Sequence, residues 1–361
     1  MIPIVRPELP PLDKYIELLR DVWDSRMLSN FGKHALLFES RAQAYLGTSR
    51  VRSVANADIG LVVALAALEL PEGSEAIVPS FTFNSTVNAI CWNRLTPVFA
   101  DIDPSAFTLD PAEVERLRGP RTAVVVGTHV FGNPCDCDAV RAAARGLPVV
   151  YDAAHAFGSR YRGRPAGTLG DIEVFSFSGT KLVTSAEGGL IAAAQDDLVR
   201  RIEYLRAYGF QGDYESHVVG VNGKLSELNA ALGALTVEMV EEAVVRRDVL
   251  VAAYRERLSE VEEVGFQRVD PRDRSTHKDF AIVCRRDRDG LERRLTAAGI
   301  QTKRYFRPAH TMRAYRRYSR GALARTEELY GRILCLPIFN ELRVEEVDQI
   351  AGLVREHFKA A

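Results

Sequence analysis

Val149-Val150-Tyr151-Asp152-Ala153-Ala154-His155, followed by Ile172-Glu173-Val174-Phe175-Ser176-Phe177-Ser178-Gly179-Thr180-Lys181, decides how this chain reads. The first run is apolar and closes on a carboxylate. The second is strand-like, closes on serine and is followed at once by a lysine, with Glu187-Gly188-Gly189-Leu190-Ile191 behind it. Short runs of β-branched and aromatic residues bounded by Gly and Ser predict strands. If both strands belong to one parallel sheet, Asp152 and Lys181 reach the same rim, where open α/β sheets bind ligands.

One chemistry needs those two groups face to face. Pyridoxal phosphate is held as a Schiff base by a lysine, while a carboxylate keeps its ring nitrogen protonated so that the ring acts as an electron sink. A lysine serves as nucleophile when a desolvated site with neighbouring positive charge makes its ammonium easy to deprotonate. Taken singly, an Asp at a strand end is a helix cap and a Lys after a strand is a solvated charge. The combination with Ser176 and Glu187-Gly188-Gly189 points to the catalytic pair Lys181 and Asp152.

At these residues the chain resembles the DegT/StrS family of sugar aminotransferases. The resemblance rests on Asp152-Ala153-Ala154-His155, Ser176-Phe177-Ser178-Gly179-Thr180-Lys181 and Glu187-Gly188-Gly189, and extends from about Arg6 to the C-terminus. It implies an α/β fold of the aspartate aminotransferase type (fold type I). A large domain with a mostly parallel seven-stranded sheet would span 1–245, including the N-terminal helical segment, and a small α+β domain 246–361. It implies a PLP-dependent transaminase that moves an amino group from L-glutamate to a keto sugar, a nucleotide-linked 3- or 4-keto-deoxysugar first. A keto-cyclitol or other non-nucleotide ketone is the alternative. A catalytically weak homologue serving as a regulatory or binding protein is the rival of another class. Family members with His in place of the lysine are dehydratases, and Lys181 points away from that branch.

The resemblance also carries residue roles. The strand-turn-helix Val51–Leu70 aims backbone N–H groups at a phosphate. Ala57-Asp58 stands where relatives carry Gly-Thr, so Asp58 is expected to cap the helix while the amides serve the phosphate. Phe83 is expected to stack on the pyridine ring, His155 to reach its phenolic oxygen and Ser176 to hold the phosphate. Asn222, in Gly220-Val221-Asn222-Gly223-Lys224, is expected to reach the phosphate of a second subunit, which implies a homodimer with a shared active site. Asn30 in the Ser29–Gly32 turn, Lys224 and His310 in Pro308-Ala309-His310 are matched to the substrate side. From the residues alone, Asn30 is equally a helix connection, Asn222-Gly223 a turn, and His129 either a site residue or a structural one.

Bulk properties agree with a globular enzyme. The 361 residues exceed what one core comfortably holds. A formal net charge of −1 gives no reason to expect nucleic acid or an anionic membrane as partner. No apolar run reaches the ~20 residues of a membrane span, and Met1–Pro7 lacks a signal-peptide pattern, so a cytoplasmic enzyme is expected. Five scattered cysteines suggest reduced thiols, and Cys135-Asp136-Cys137 has no partner pair at zinc-like spacing, so no metal is expected. Residues 12–46 read as two helices broken by the Ser29–Gly32 turn. Leu225 to about Ser259 reads as one or two long connecting helices.

Overall fold

The computed structural model describes residues 1–359. Two helices, α1 (Leu12–Ser25) and α2 (Lys33–Leu46), lead into β1 (Val51–Val54) and α3 (Ala57–Ala66). Then β2 (Glu75–Pro79), α4 (Asn84–Trp92), β3 (Thr96–Ala100), α5 (Pro111–Leu117), β4 (Thr122–Thr128), α6 (Cys137–Ala144) and β5 (Val149–Asp152) alternate. A short hairpin, β6 (Arg160–Tyr161) and β7 (Arg164–Pro165), precedes β8 (Ile172–Ser176) and β9 (Gly189–Ala193). The helices α7 (Asp196–Leu205), α8 (Glu227–Val237) and α9 (Val240–Leu258) follow. The C-terminal part comprises β10 (Val264–Phe266), β11 (Phe280–Cys284), α10 (Arg288–Ala297), α11 (Ala324–Arg332), β12 (Ile333–Leu336) and α12 (Val344–Lys359).

Seven strands form the main sheet in the order β1-β9-β8-β5-β4-β2-β3. Every pairing among β2, β3, β4, β5 and β8 is parallel, and β9 alone runs against both its neighbours. Successive residues of the central strands face opposite sides, as a pleated strand requires. Val125, Val149 and Tyr151 enter one core with α2, α5, α6 and α8. Val124, Val126 and Val150 enter another with α3, α4 and α7. Helices therefore cover both faces, which explains why these strands read as continuous apolar runs.

A three-stranded antiparallel sheet, β10-β11-β12, forms the second lobe with α10 and α12. α9 connects the two. Its first turns (Val240, Ala243, Val244) pack in the large core and its later ones (Leu250, Tyr254, Leu258) in the small one. The chain start differs from the expected grouping with the large domain. Ile2 bridges to Ile300, and Ile4 N–H donates to Gln301, so the first residues lie along the C-terminal lobe. Short-range patterning carries no sign of this, because the stretch gains its partners about 300 positions away. Among the described residues no helix is long and apolar enough to cross a membrane, and all five cysteines are free.

Candidate active site

The parallel strands all end on one rim, and the loops there enclose a cavity of about 250 Å³, the scale of a small ligand. Asp152 is the last residue of β5 and Ser176 the last of β8, and Lys181 follows in the loop between β8 and β9. All three line the cavity, as do Ala57, Asp58, Phe83 and His155.

Asp152 is fully buried and fixed. Thr86 Oγ1 donates to its Oδ2 at 2.6 Å, and the Ala154 N–H donates to Oδ1 at 3.1 Å. Thr86 is held in turn by Thr82 at 2.8 Å, and Thr82 by Thr128 at 2.9 Å, a buried chain of hydroxyls behind the carboxylate. Burial pushes the Asp152 carboxyl up from its ordinary range, opposed by the Thr86 and Ala154 hydrogen bonds and by the charge of Lys181.

Burial, and then the neighbouring Lys278 ammonium, pull Lys181 down to about 8, against the attraction of Asp152, Asp279 and Asp58. Lys181 and Asp152 act on each other through space, with no hydrogen bond between them, which leaves the cavity between the two groups. His155 is held well below its usual value by burial and by Lys181 and Lys278, so its imidazole is neutral. It lies flat against Phe131 and Phe306, with ring centroids 6.3 and 6.0 Å away.

The turn expected to hold the phosphate stands at the start of α3. Asn56, with its side chain accepting from Ile59 N–H at 2.9 Å, is the helix cap. Asp58 was expected in that role. It stands one residue inside the helix, where its carboxylate cannot reach back to the free amides, and it is exposed to the cavity instead. The Ala57 and Asp58 amides, as first-turn donors, have no acceptor within the helix. Gly189 makes the approach of β9 to this turn feasible. A Cβ there would lie 2.9 Å from the Asn56 carbonyl carbon and 3.0 Å from Ala57 N.

These residues fit pyridoxal phosphate. There is a lysine that is easily deprotonated, a fixed buried acid facing the same cavity, an amide cradle next to the Ser176 hydroxyl, and Phe83, an aromatic 54% exposed at the cavity wall.

Four sequence-matched residues lie elsewhere. Asn30 is exposed with φ 73°, in the turn before α2, and does not line the cavity. Asn222 and Lys224 lie on an outer loop, their side chains bonded to each other at 2.8 Å, with Lys224 over the Tyr208 ring at 3.9 Å. His310 is a correction. It is buried, Nδ1 sits 2.7 Å from Ser80 Oγ and Nε2 3.0 Å from Glu327, so both ring nitrogens are occupied away from the cavity. His129 lines the cavity but is also fixed structurally, with Nδ1 accepting from Cys135 N–H at 3.0 Å and the ring stacked on Tyr151.

Sequence reading missed the wall contributed by the C-terminal lobe, Lys278, Lys303, Tyr305 and Phe306. It also missed the threonines behind Asp152. Thr82 and Thr86, polar at i and i+4 beside Phe83, were the available signal.

The chain matches the model of the DegT/DnrJ/EryC1/StrS aminotransferase family over residues 13–355. It is 30% identical to the GDP-perosamine synthase of Escherichia coli O157:H7, over 99% of this chain and 98% of that one. It is also 30% identical to the dTDP-4-amino-4,6-dideoxy-D-glucose transaminase of Shigella dysenteriae, over 98% of each. Its fold is similar to the crystal structure of DesI in the presence of its TDP-sugar product, with a TM-score of 0.92, 37% identity and coverage of 98% of this chain and 92% of that one.

Two outcomes follow from the electrostatics. Only a neutral amine adds to an aldehyde, so uptake of pyridoxal phosphate by cofactor-free protein, followed by absorbance, accelerates as pH rises through about 8 and then levels. A rise deferred to the ordinary lysine range near ~10 would contradict the lowered value. Replacing Asp58 by Thr removes a carboxylate from beside the amide cradle and tightens pyridoxal phosphate binding several-fold in titrations. An unchanged affinity would show that the carboxylate does not oppose the phosphate.

Proposed function

This chain belongs to the DegT/DnrJ/EryC1/StrS aminotransferase family and is a pyridoxal phosphate-dependent transaminase, and from that premise we propose that it moves the amino group of L-glutamate to a keto sugar carried on a nucleoside diphosphate. The observation that carries the reading is the lowered Lys181 amine facing the fixed Asp152 across one cavity. The names of the relatives, a GDP-perosamine synthase and a dTDP-4-amino-4,6-dideoxy-D-glucose transaminase, support a nucleotide-linked 4-keto-6-deoxyhexose as acceptor.

The bound cofactor supplies an aldehyde for a lysine to add to and a ring that takes up the electron pair released at the donor's α-carbon. Around it the chain's own residues have distinct tasks. Lys181, neutral in part at physiological pH, provides the amine. The same amine would be the base placed to move the proton at the donor's α-carbon. Asp152, held by Thr86, keeps the ring nitrogen protonated. Phe83 would cover one ring face, and the neutral His155 would hold the phenolic oxygen. The amides of Ala57 and Asp58 and the hydroxyl of Ser176 would hold the phosphate.

A second copy of the chain completes the site. The Asn222–Lys224 loop supports this, since it lies beside the start of α3 (Ala55 N–H donates to Gly223 O at 2.8 Å) and leaves Asn222 exposed. The exposed Leu12, Trp23, Leu28 and Leu36 on the N-terminal helices give such a copy an apolar surface to cover.

Incubation of the holoenzyme with L-glutamate and GDP- or dTDP-linked 4-keto-6-deoxyhexoses is expected to yield 2-oxoglutarate and the amino sugar. Failure with every nucleotide-linked keto sugar, together with turnover of a keto-cyclitol, would overturn the acceptor assignment. Lys181→Ala is expected to lose turnover with an unchanged circular dichroism spectrum. Asp152→Asn is expected to lose on the order of 10²-fold or more in kcat, the scale for removing a fixed electrostatic partner. Normal kcat in either variant would remove that residue from the chemistry.

A further inference from the structure

Two lysines on the C-terminal wall of the cavity have no ligand in the chemistry described above, although Lys278 acts on Lys181 through its charge. Lys278 precedes β11, is 3% exposed and is anchored at both ends of its peptide unit. Its N–H donates to Phe131 O at 2.9 Å, and its carbonyl accepts from Arg247 at 2.9 Å. Lys303 is clamped by reciprocal backbone hydrogen bonds to Cys335 at 3.2 and 2.8 Å, while its side chain is exposed to the cavity mouth. Both ammonium groups flank one ring, Lys278 5.6 Å and Lys303 4.7 Å from the Tyr305 centroid.

The charge balance on this wall is uneven. The Lys278 ammonium meets one carboxylate, Asp279, at 3.0 and 3.1 Å. The same carboxylate also attracts the buried Arg247, which Glu8 attracts as well, so Asp279 is divided between two buried cations. Lys303 rests on Tyr305 and adds a further positive charge. A buried ammonium is unfavourable where its counter-charge is shared with another cation. The acids that line the cavity, Asp58, Asp152 and Glu187, belong to the opposite wall, in the large lobe. An anionic group entering the cavity is therefore drawn to the C-terminal wall.

We propose that Lys278 and Lys303 form a carboxylate subsite for the amino donor, Lys278 taking the carboxylate next to the reacting carbon and Lys303 the distal carboxylate of an acidic amino acid. The assignment rests on the transaminase reading. A diphosphate on the acceptor is the other source of negative charge, and its position argues against it here. In an α-amino acid the carboxylate is one bond from the carbon that carries nitrogen. In a nucleotide-linked 4-keto sugar the diphosphate is on the opposite side of the ring from the ketone. Lys278 is close enough to Lys181 for its charge to be felt there, so an anion paired with Lys278 lies beside the reacting amine. Lys303, exposed and nearer the solvent, is placed for the far end of a longer donor.

Glutarate, a dicarboxylate with no amino group to transfer, is the probe. Calorimetric titration of the holoenzyme at fixed ionic strength is expected to show binding that Lys278→Met and Lys303→Met each weaken tenfold or more, with Lys278→Arg restoring most of it. A nucleoside diphosphate titrated in parallel is expected to bind all four proteins within about twofold, and KM for L-glutamate is expected to rise in both Met variants with KM for the keto sugar little changed. Lys303 is exposed, so its variant tests the subsite even if Lys278→Met fails to fold. Unchanged glutarate affinity in Lys303→Met would overturn the proposal, as would an equal loss of nucleoside diphosphate binding, which would assign the lysines to the acceptor. Loss of glutarate binding in an enzyme that aminates no keto sugar would keep the subsite and refute the acceptor assignment instead.

Discussion

Two opposite charges facing one buried cavity without collapsing onto each other is the constraint on which the site depends. Left alone, a desolvated lysine and carboxylate would close into an ion pair. The chain prevents this from both sides. Asp152 has its oxygens engaged by Thr86 and the Ala154 amide, and Thr86 is held by Thr82 and Thr128, so turning the carboxylate toward Lys181 would break a buried hydroxyl network. Lys181 is pulled down by burial and by Lys278, so part of its population carries no charge to pair with. The gap is thereby kept open for a ligand that needs both groups.

The fold supplies the geometry that such a gap requires. Parallel β4, β5 and β8 bring Thr128, Asp152 and Ser176 to one rim in register, with Thr128 opposite Asp152 and Asp152 opposite Val174. The single antiparallel strand, β9, begins at that rim, and Gly189 lets it pass against the turn that opens α3. The amide cradle and the lysine loop are thus held at the same end of the β8-β9 hairpin, beside Gly189. The second lobe closes the remaining side with Lys278, Lys303, Tyr305 and Phe306, positioned by α9, which is embedded in both cores. Helix and strand termini provide the floor, while the wall comes from loop segments flanking the strands of the second sheet.

This division explains what was legible in the sequence. The floor residues stand at or just past the ends of strongly apolar runs, so Asp152 and Ser176 are found by following strand patterns to their last residue and Lys181 five residues beyond. A mainly parallel sheet covered on both faces could be read the same way, because strands buried on both faces show as unbroken apolar segments, whereas the count of seven strands comes from the family resemblance. The wall could not. Lys278 lies about a hundred positions beyond Lys181, next to an acid that makes it look like an ordinary solvated pair. Only the docking of the second lobe turns it into the cavity. Adjacent polar residues with the same capping ability were also ambiguous, and the helix start was assigned to Asp58 although Asn56 is one step outside the helix, where a side chain can reach the third amide. His310 misled for a related reason. Its neighbours Pro308 and Ala309 form a recognisable turn, yet Ser80 and Glu327 take both ring nitrogens, and no local signal reports partners so distant.

The account stands or falls on which amine bonds the cofactor. Borohydride treatment of the yellow holoenzyme, proteolysis and mass analysis of the peptides measure this directly. The account predicts a single pyridoxyl group, carried by Lys181. A pyridoxyl group on Lys278, Lys303 or any other lysine, or none at all, would contradict it.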